Sequence, residues 1–357
     1  MAIDLDRVRA ELGGYEAADR ASDALDRIYA SAATLINADP GEIALVENAT
    51  VAWQLAFHSL RLEPGDRVIT VRNEYASAYI GFLHRARRDG FAIETIPTGP
   101  DGTPSPEALA AMIDGRVKLI ALPHVPSHNG TVNQAAALGR IARGNGIPFL
   151  LDACQSVGQL AVDVDALGCD MLAATGRKYL RGPRGTGFLY VRRSMLERLD
   201  PVFLDLHGAR WTAPDRYEMR PGARRFENWE SNIAAQLGLG AAIDYALALG
   251  PHAIETRGRA LAADLRAPLA AIAGVTVTDS GQDLSGIVTF HVAGRKSTEI
   301  VATLRARDIN CVTSSPMVSR LESAARDLPT LLRASVHYYN SEDEVERYAA
   351  TIAGIAR

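Results

Sequence analysis

The sequence predicts an α/β fold: a seven-stranded, mainly parallel sheet followed by a smaller C-terminal α+β domain. Three observations carry this expectation. Short β-branched segments alternate with longer helical patterns through the first two-thirds of the chain, as strand–helix–strand crossovers require. Runs such as PFLL and KLIAL are apolar on both faces, which suits a central strand covered by helices on each side. After about residue 191 a polar, aromatic stretch intervenes, and the later strand–helix alternation is shorter.

The strand candidates are EIALV (42–46), RVITV from Arg67, AIETI from Ala92, KLIAL from Lys118, PFLLD ending at Asp152, DMLAAT from Asp170 and GFLYV from Gly187. Helical patterns fill 50–60, 76–89, 106–112 and 134–145. Beyond the polar stretch 206–231, helices are expected near 232–249 and 253–273, then the segments VTVTD, GIVTFHV, NCVTSS and LLRASVHYY. Ser341 followed by Glu344 is a capping-box start for the last helix. Gly250-Pro251 punctuates the chain between two helices. This places a large domain over 1–250, with an N-terminal helix packing on the small domain, and the small domain over 251–357.

Composition narrows the function classes. Net charge is −4 over 357 residues and no long basic or acidic block occurs, so neither nucleic acid nor a membrane surface is an expected partner. No apolar run approaches the ~20 residues of a membrane span, and the N-terminus lacks a signal-peptide core. Cys154, Cys169 and Cys311 are too few and too scattered for a disulfide framework or a zinc site, which fits a reducing cytoplasm. His124, His128 and His337 lack ligand spacing and read as packed or hydrogen-bonded histidines, so no metal is expected.

Ligands of open α/β sheets sit beyond the carboxyl ends of the strands, and polar clusters fall there. EIALV runs into Glu47-Asn48-Ala49-Thr50 at a helix start, where backbone N–H groups and the Thr50 hydroxyl suit a phosphate; a plain helix cap explains the motif equally well. PFLLD delivers Asp152, followed by Cys154 and Gln155. The next strand ends in Thr175-Gly176-Arg177-Lys178. A carboxylate and a lysine at neighbouring strand ends have a specific use. Pyridoxal 5'-phosphate needs an amine for a Schiff base and a carboxylate to keep its ring nitrogen protonated. Thr175 and Arg177 flank the lysine and could grip the phosphate. Gly182, Gly185 and Gly187 read as a tight turn.

The segment DACQSVGQLAVDVDALGCDMLAATGRKYLRGPRGTGFLYVRR resembles the core of class V aminotransferase-like enzymes of PLP fold type I. It carries Asp-x-x-Gln, then Thr-x-Arg-Lys, then a Gly-Pro-x-Gly-x-Gly turn. The resemblance implies roles position by position. Lys178 bonds the cofactor and moves the substrate's proton, and Asp152 pairs with the ring nitrogen. Gln155 and Ser127 lie near the phenolic oxygen, and Ala49, Thr50, Thr175 and Arg177 hold the phosphate. Tyr75 takes the place of the aromatic that stacks on the pyridine ring, and Arg333 that of the arginine that forks onto the substrate carboxylate. A homodimer is implied, and Arg181 and Arg184 read either as structural or as facing the partner.

The chain also departs from the family pattern. Members often carry an extra segment before the first helix; this chain starts at about that helix, so its substrate cover is expected to be incomplete or supplied differently. Where the family places a Gly-Thr for the partner's phosphate, Glu227, Trp229, Glu230 and Asn232 stand. VTSSPMVSR lacks the mobile-loop cysteine of cysteine desulfurases, and Cys311, just upstream, reads as a buried small hydrophobe. Trp211 and Trp229 suit either a pocket wall or the core. Within the family, the GGYEAAD start, the Ser-His-x-Gly segment and the Arg-Lys-Tyr-Leu turn are most similar to hercynylcysteine sulfoxide C–S lyases and isopenicillin-N-epimerase-like proteins. The expected reaction is β-elimination from a cysteine conjugate or sulfoxide. An aminotransferase or epimerase acting on a free amino acid is the alternative, and a catalytically silent binding protein is the alternative from another class.

Overall fold

The structure, a computed structural model, describes residues 10–357. In chain order the large sheet's strands are β1 (Ile43–Val46), β2 (Arg67–Val71), β3 (Ala92–Ile96), β4 (Val117–Pro123), β5 (Phe149–Asp152), β6 (Met171–Thr175) and β7 (Gly187–Val191). Their spatial order is β1-β7-β6-β5-β4-β2-β3. Only β7 runs against its neighbours. The seven-stranded, mainly parallel sheet therefore stands as expected.

Two-sided burial explains why these strands read as unbroken apolar runs. Along β5, Phe149 and Leu151 join the core on one face while Leu150 joins the other. Along β6, Leu172 and Ala174 face one way, Met171 and Ala173 the other. Period-two alternation is thus present, but both faces want apolar side chains. One face carries helix α2 (Ser22–Ile36), whose Ile28, Ala32 and Ile36 form a buried stripe that ends at left-handed Asn37. The short helix α1 (Gly14–Arg20) precedes it. The other face carries α3 (Ala49–His58) and α4 (Ala76–Asp89), where Trp53, Phe57 and Phe82 meet tilted or edge-on at 4.9–5.1 Å.

The expectation that the N-terminal helix packs on the small domain needs correction where the chain is described. Helix α2 packs on the later helix Ile233–Leu249 and on β1, both in the large domain, because its apolar stripe completes the core beside that sheet face. Residues 1–9, which also fall under that expectation, lie outside the described residues.

The polar stretch 206–231 holds an element the sequence pattern does not announce. β8 (Ala209–Ala213) and β9 (Arg216–Met219) form an exposed two-stranded hairpin. Neither strand has a buried face, so no apolar alternation marks it. Beyond the helix Ile233–Leu249, Gly250 adopts a positive φ of 87° and Pro251 opens the next helix, Pro251–Ala271. All four strands of the second sheet follow: β10 (Val275–Val277), β11 (Ile287–Val292), β12 (Val312–Ser314) and β13 (Leu331–Ser335), in the antiparallel order β10-β11-β13-β12. Their core contains Leu261, Leu265, Phe290, Leu332 and Tyr348.

A buried carboxylate ties this second sheet to the carboxyl edge of the first. Asp279 accepts hydrogen bonds from the Gly130 backbone N–H at 2.9 Å, the Thr289 N–H at 3.1 Å and the Thr289 hydroxyl at 2.6 Å, and pairs with Arg266 at 2.9 Å. Gly130 allows the close approach: a Cβ there would lie 2.0 Å from the Ile287 carbonyl. Arg72 at the end of β2 pairs with Glu322 at 2.5 Å, a second link to the same half. We predict that Asp279→Ala lowers unfolding free energy by about 3–5 kcal/mol, because Arg266 is left buried and unpaired. Chemical denaturation of both proteins measures it; a shift under 1 kcal/mol would contradict the account.

Candidate active site

Five loops leave the carboxyl edge of the large sheet and converge. β1 leads through Asn48 into α3; the Asn48 side chain accepts the Val51 N–H at 3.0 Å, and Ala49 and Thr50 begin the helix. β2 leads to Tyr75, which caps α4. β4 leads to Ser127, β5 ends on Asp152, and β6 leads to Lys178. The lysine sits in a tight turn closed by Arg181 N–H to Lys178 O at 2.9 Å and Gly182 N–H to Gly176 O at 2.7 Å. Arg181 takes a left-handed φ of 61° to make that turn.

Ala49, Thr50, Tyr75, Ser127, Asp152 and Lys178 line one cavity, together with Trp53 and Cys154. A second cavity of about 420 Å³ opens from the same place. It shares Tyr75, Ser127 and Lys178 and adds Gln155, Arg177 and Arg333. The small sheet supplies its far wall through Thr313, Ser314 and Arg333, continued by His337 and Tyr339 just after β13. Nine of the ten sequence-predicted site residues therefore meet in two joined cavities. Thr175 is the exception. It is buried, and its hydroxyl donates to the Thr186 carbonyl at 3.3 Å rather than facing either space. The reason is local: β6 pairs antiparallel with β7, and Thr175 lies opposite Gly187, beside Thr186.

The electrostatics leave charges in want of partners. Burial pushes the Asp152 carboxyl above its ordinary range, against the Cys154 N–H it accepts at 2.8 Å and the positive charge of Lys178. A carboxylate so placed suits a protonated ring nitrogen, which would offset the burial. Burial likewise lowers the Arg333 guanidinium, and its Nε–H has no partner. A carboxylate from a substrate would supply one. Gln155 donates to the Ser127 hydroxyl at 3.0 Å while its carbonyl oxygen is buried and unmatched. These unmet groups, beside a lysine and a helix N-terminus, fit pyridoxal 5'-phosphate.

Several lining residues carried no role in the sequence. Cys154 lines the same cavity as Lys178, and burial raises its thiol; its place two residues after Asp152 was the available signal. Tyr179, His337 and Tyr339 stack in sequence at 5.3 and 4.3 Å, with Arg181 over Tyr339 at 4.7 Å. Burial lowers His337 to about 4, so it is neutral at pH 7, and its Nε2 meets the Tyr179 carbonyl at 3.1 Å. Trp211 and Trp229 do not line either cavity. They are 79% and 56% exposed, Trp211 on the hairpin and Trp229 beside Glu227, because that segment lies outside the strand-end edge. Cys311 is buried, its thiol 3.1 Å from the Tyr348 hydroxyl and raised by burial.

The family model described as Aminotransferase class-V matches residues 7–348. The chain belongs to the class-V aminotransferase family. This family member is a PLP-dependent enzyme. It is 30% identical over 349 residues to a probable cysteine desulfurase of Methanothermobacter thermautotrophicus, covering 96% of this chain and 86% of that one. It is 30% identical over 345 residues to a cysteine desulfurase of Salmonella agona, covering 95% and 84%. Among solved structures it is similar to an apo cysteine desulfurase of Thermococcus onnurineus, with 26% identity and a TM-score of 0.89 over 95% of this chain and 85% of that one. The cystine C–S lyase C-DES in complex with cysteine persulfide shares the fold, at 23% identity and a TM-score of 0.88 over 99% and 92%. These two curated relatives carry the name cysteine desulfurase, not the sulfoxide-lyase or epimerase names to which the motif pattern pointed.

We predict that Asp152→Ala lowers turnover at least about 100-fold, the kinetic equivalent of ~3 kcal/mol, while leaving cofactor bound through Lys178. The sign for pH follows from the raised carboxyl. Asp152 is ionised above its elevated pKa and neutral below it, so wild-type cofactor uptake should weaken as pH falls through that value. Steady-state rates and absorption titrations check both; near-normal turnover of the variant would contradict the role.

Proposed function

We propose that this PLP enzyme is a C–S β-lyase acting on an S-substituted cysteine, a conjugate or a sulfoxide, and that it works as a cytoplasmic homodimer. The observation that carries the reading is the placement of the cysteines against the substrate cavity. Arg333 and Lys178 border that space and Asp152 the adjoining cavity, while none of the three cysteines lies on the small-sheet wall. Cys311 is buried behind β13, Cys169 is buried in the core beside the large sheet, and Cys154 lines the cavity of Lys178 and Asp152. Sulfur therefore has no acceptor thiol at the substrate's far end and leaves with its own substituent.

The residues divide the work. Arg333 holds the α-carboxylate, which sets the Cα–H bond upright for Lys178 to take the proton. When bound, the cofactor accepts the electron pair left at Cα. Asp152 keeps the ring-nitrogen proton in place. The Cβ–S bond then breaks with its electrons on sulfur, and the three-carbon remainder hydrolyses to pyruvate and ammonia. Tyr339, His337 and Thr313 border the space the sulfur substituent would occupy. The exposed Trp211, Tyr217 and Leu206, with Trp229, support a second copy covering the hairpin side.

A second reading, cysteine desulfurase, is favoured by the relatives' names and by Cys154, the one thiol at the cofactor cavity. One assay separates them. Purified enzyme is given cysteine, several S-conjugates and sulfoxides, and alanine with a keto acid. Pyruvate and ammonia from the conjugates is the predicted result. Alanine plus released sulfur from cysteine would move the assignment to a desulfurase. Amino transfer to the keto acid, or racemisation without pyruvate, would move it to an aminotransferase or epimerase.

A further inference from the structure

Beside the two cavities lies a carboxyl that the proposed reaction does not use. Glu74 is 3% exposed and sits in the turn between β2 and α4. One of its oxygens takes the Thr70 hydroxyl at 2.8 Å, the other the Tyr75 backbone N–H at 2.7 Å. Tyr75 is the cap residue of α4, ahead of the first helical turn, so its N–H has no acceptor within the helix. The rest of the turn is stitched to the neighbouring strand. Asn73 and Asn133 exchange side-chain hydrogen bonds at 2.9 and 3.2 Å, and Asn133 also donates to the Pro123 carbonyl at 2.7 Å, at the end of β4. Pro123 pairs in register with Asp152. The loop that delivers the Tyr75 ring is therefore anchored to the same strand ends that deliver Asp152.

We propose that Glu74 is a positioning residue of the cofactor site: its enclosed carboxyl ties the Tyr75 backbone to Thr70 on β2 and so sets where the Tyr75 ring lies over the cofactor. This rests on the cofactor assignment and is independent of which bond the enzyme breaks. Chemistry favours a neutral acid in that post. Burial and the nearby Asp152 push Glu74 up to about 8, so at pH 7 it adds no second negative charge behind Asp152. A neutral amide of the same shape should then serve equally well.

The test compares Glu74→Ala with Glu74→Gln. In the protein without added cofactor, Glu74→Ala should speed hydrogen exchange at the Tyr75 amide by tenfold or more. It should weaken pyridoxal phosphate binding about tenfold and shrink the visible circular-dichroism band of the bound cofactor. Glu74→Gln should restore all three, because its carbonyl still accepts the Tyr75 N–H. Glu74→Ala combined with Tyr75→Ala should bind cofactor no more weakly than Tyr75→Ala alone, as residues acting through one another are not additive. If Glu74→Ala does not fold, Glu74→Met carries the same comparison with the space filled. Unchanged Tyr75 exchange and affinity in these variants, additive effects, or failure of Glu74→Gln to rescue would overturn the proposal. The exchange arm needs no cofactor, so a wild-type chain that binds none is told apart from failure of this inference.

Discussion

The site depends on the parallel pairing of β5 with β6. Register places Asp152 opposite Ala173, two residues short of the end of β6. The chain then needs only the Gly176 turn to bring Lys178 back beside the carboxylate. Gly176 is required there, since a Cβ would lie 2.3 Å from the Thr186 hydroxyl. A one-residue slip between these strands would turn Asp152 to the opposite face and break the pair. The apolar side chains on both faces oppose such a slip, because each face has its own core to lose. Packing far from the chemistry thus fixes the distance on which the chemistry relies.

The second sheet completes the site from the other side. Arg333 reaches the cavity because β13 pairs with β11, and β11 is tied through Thr289 and Asp279 to Gly130 on the large domain. Ser127 lies three residues before Gly130. The loop that contributes to the cofactor side is therefore the loop that carries the small domain's anchor. Charge follows the same division. Asp152 ends β5 and Lys178 follows β6 of the large sheet, while Arg333 comes from the small one, so both sheets line the joined cavities.

Much of this was legible in the sequence for physical reasons. Buried parallel strands must be apolar on both faces, so PFLLD and DMLAAT announced themselves and their polar ends marked the site. Helix bounds such as Ala76–Asp89 and Pro106–Met112 coincided with the periodic pattern, because the first ends at left-handed Gly90 and the second starts on the Ser105 cap and Pro106. The hairpin β8–β9 was not legible, since exposed strands carry no apolar alternation. Thr175 was placed correctly on β6, but the direction of its hydroxyl depends on the antiparallel neighbour β7, which no local pattern encodes. Glu74 escaped notice for a similar reason. A glutamate in a turn reads as solvated, and only tertiary enclosure makes it a bracket for Tyr75.

Lys178, which shares the cofactor cavity with Asp152 at the ends of β6 and β5, is the residue proposed to bond the cofactor. The most direct measurement is borohydride reduction of the protein loaded with pyridoxal phosphate, followed by peptide mapping by mass spectrometry. The account predicts a single reduced pyridoxyl adduct on Lys178, absent from Lys178→Ala. An adduct on Lys118 or Lys296 at full occupancy, or an undiminished adduct in Lys178→Ala, would contradict it.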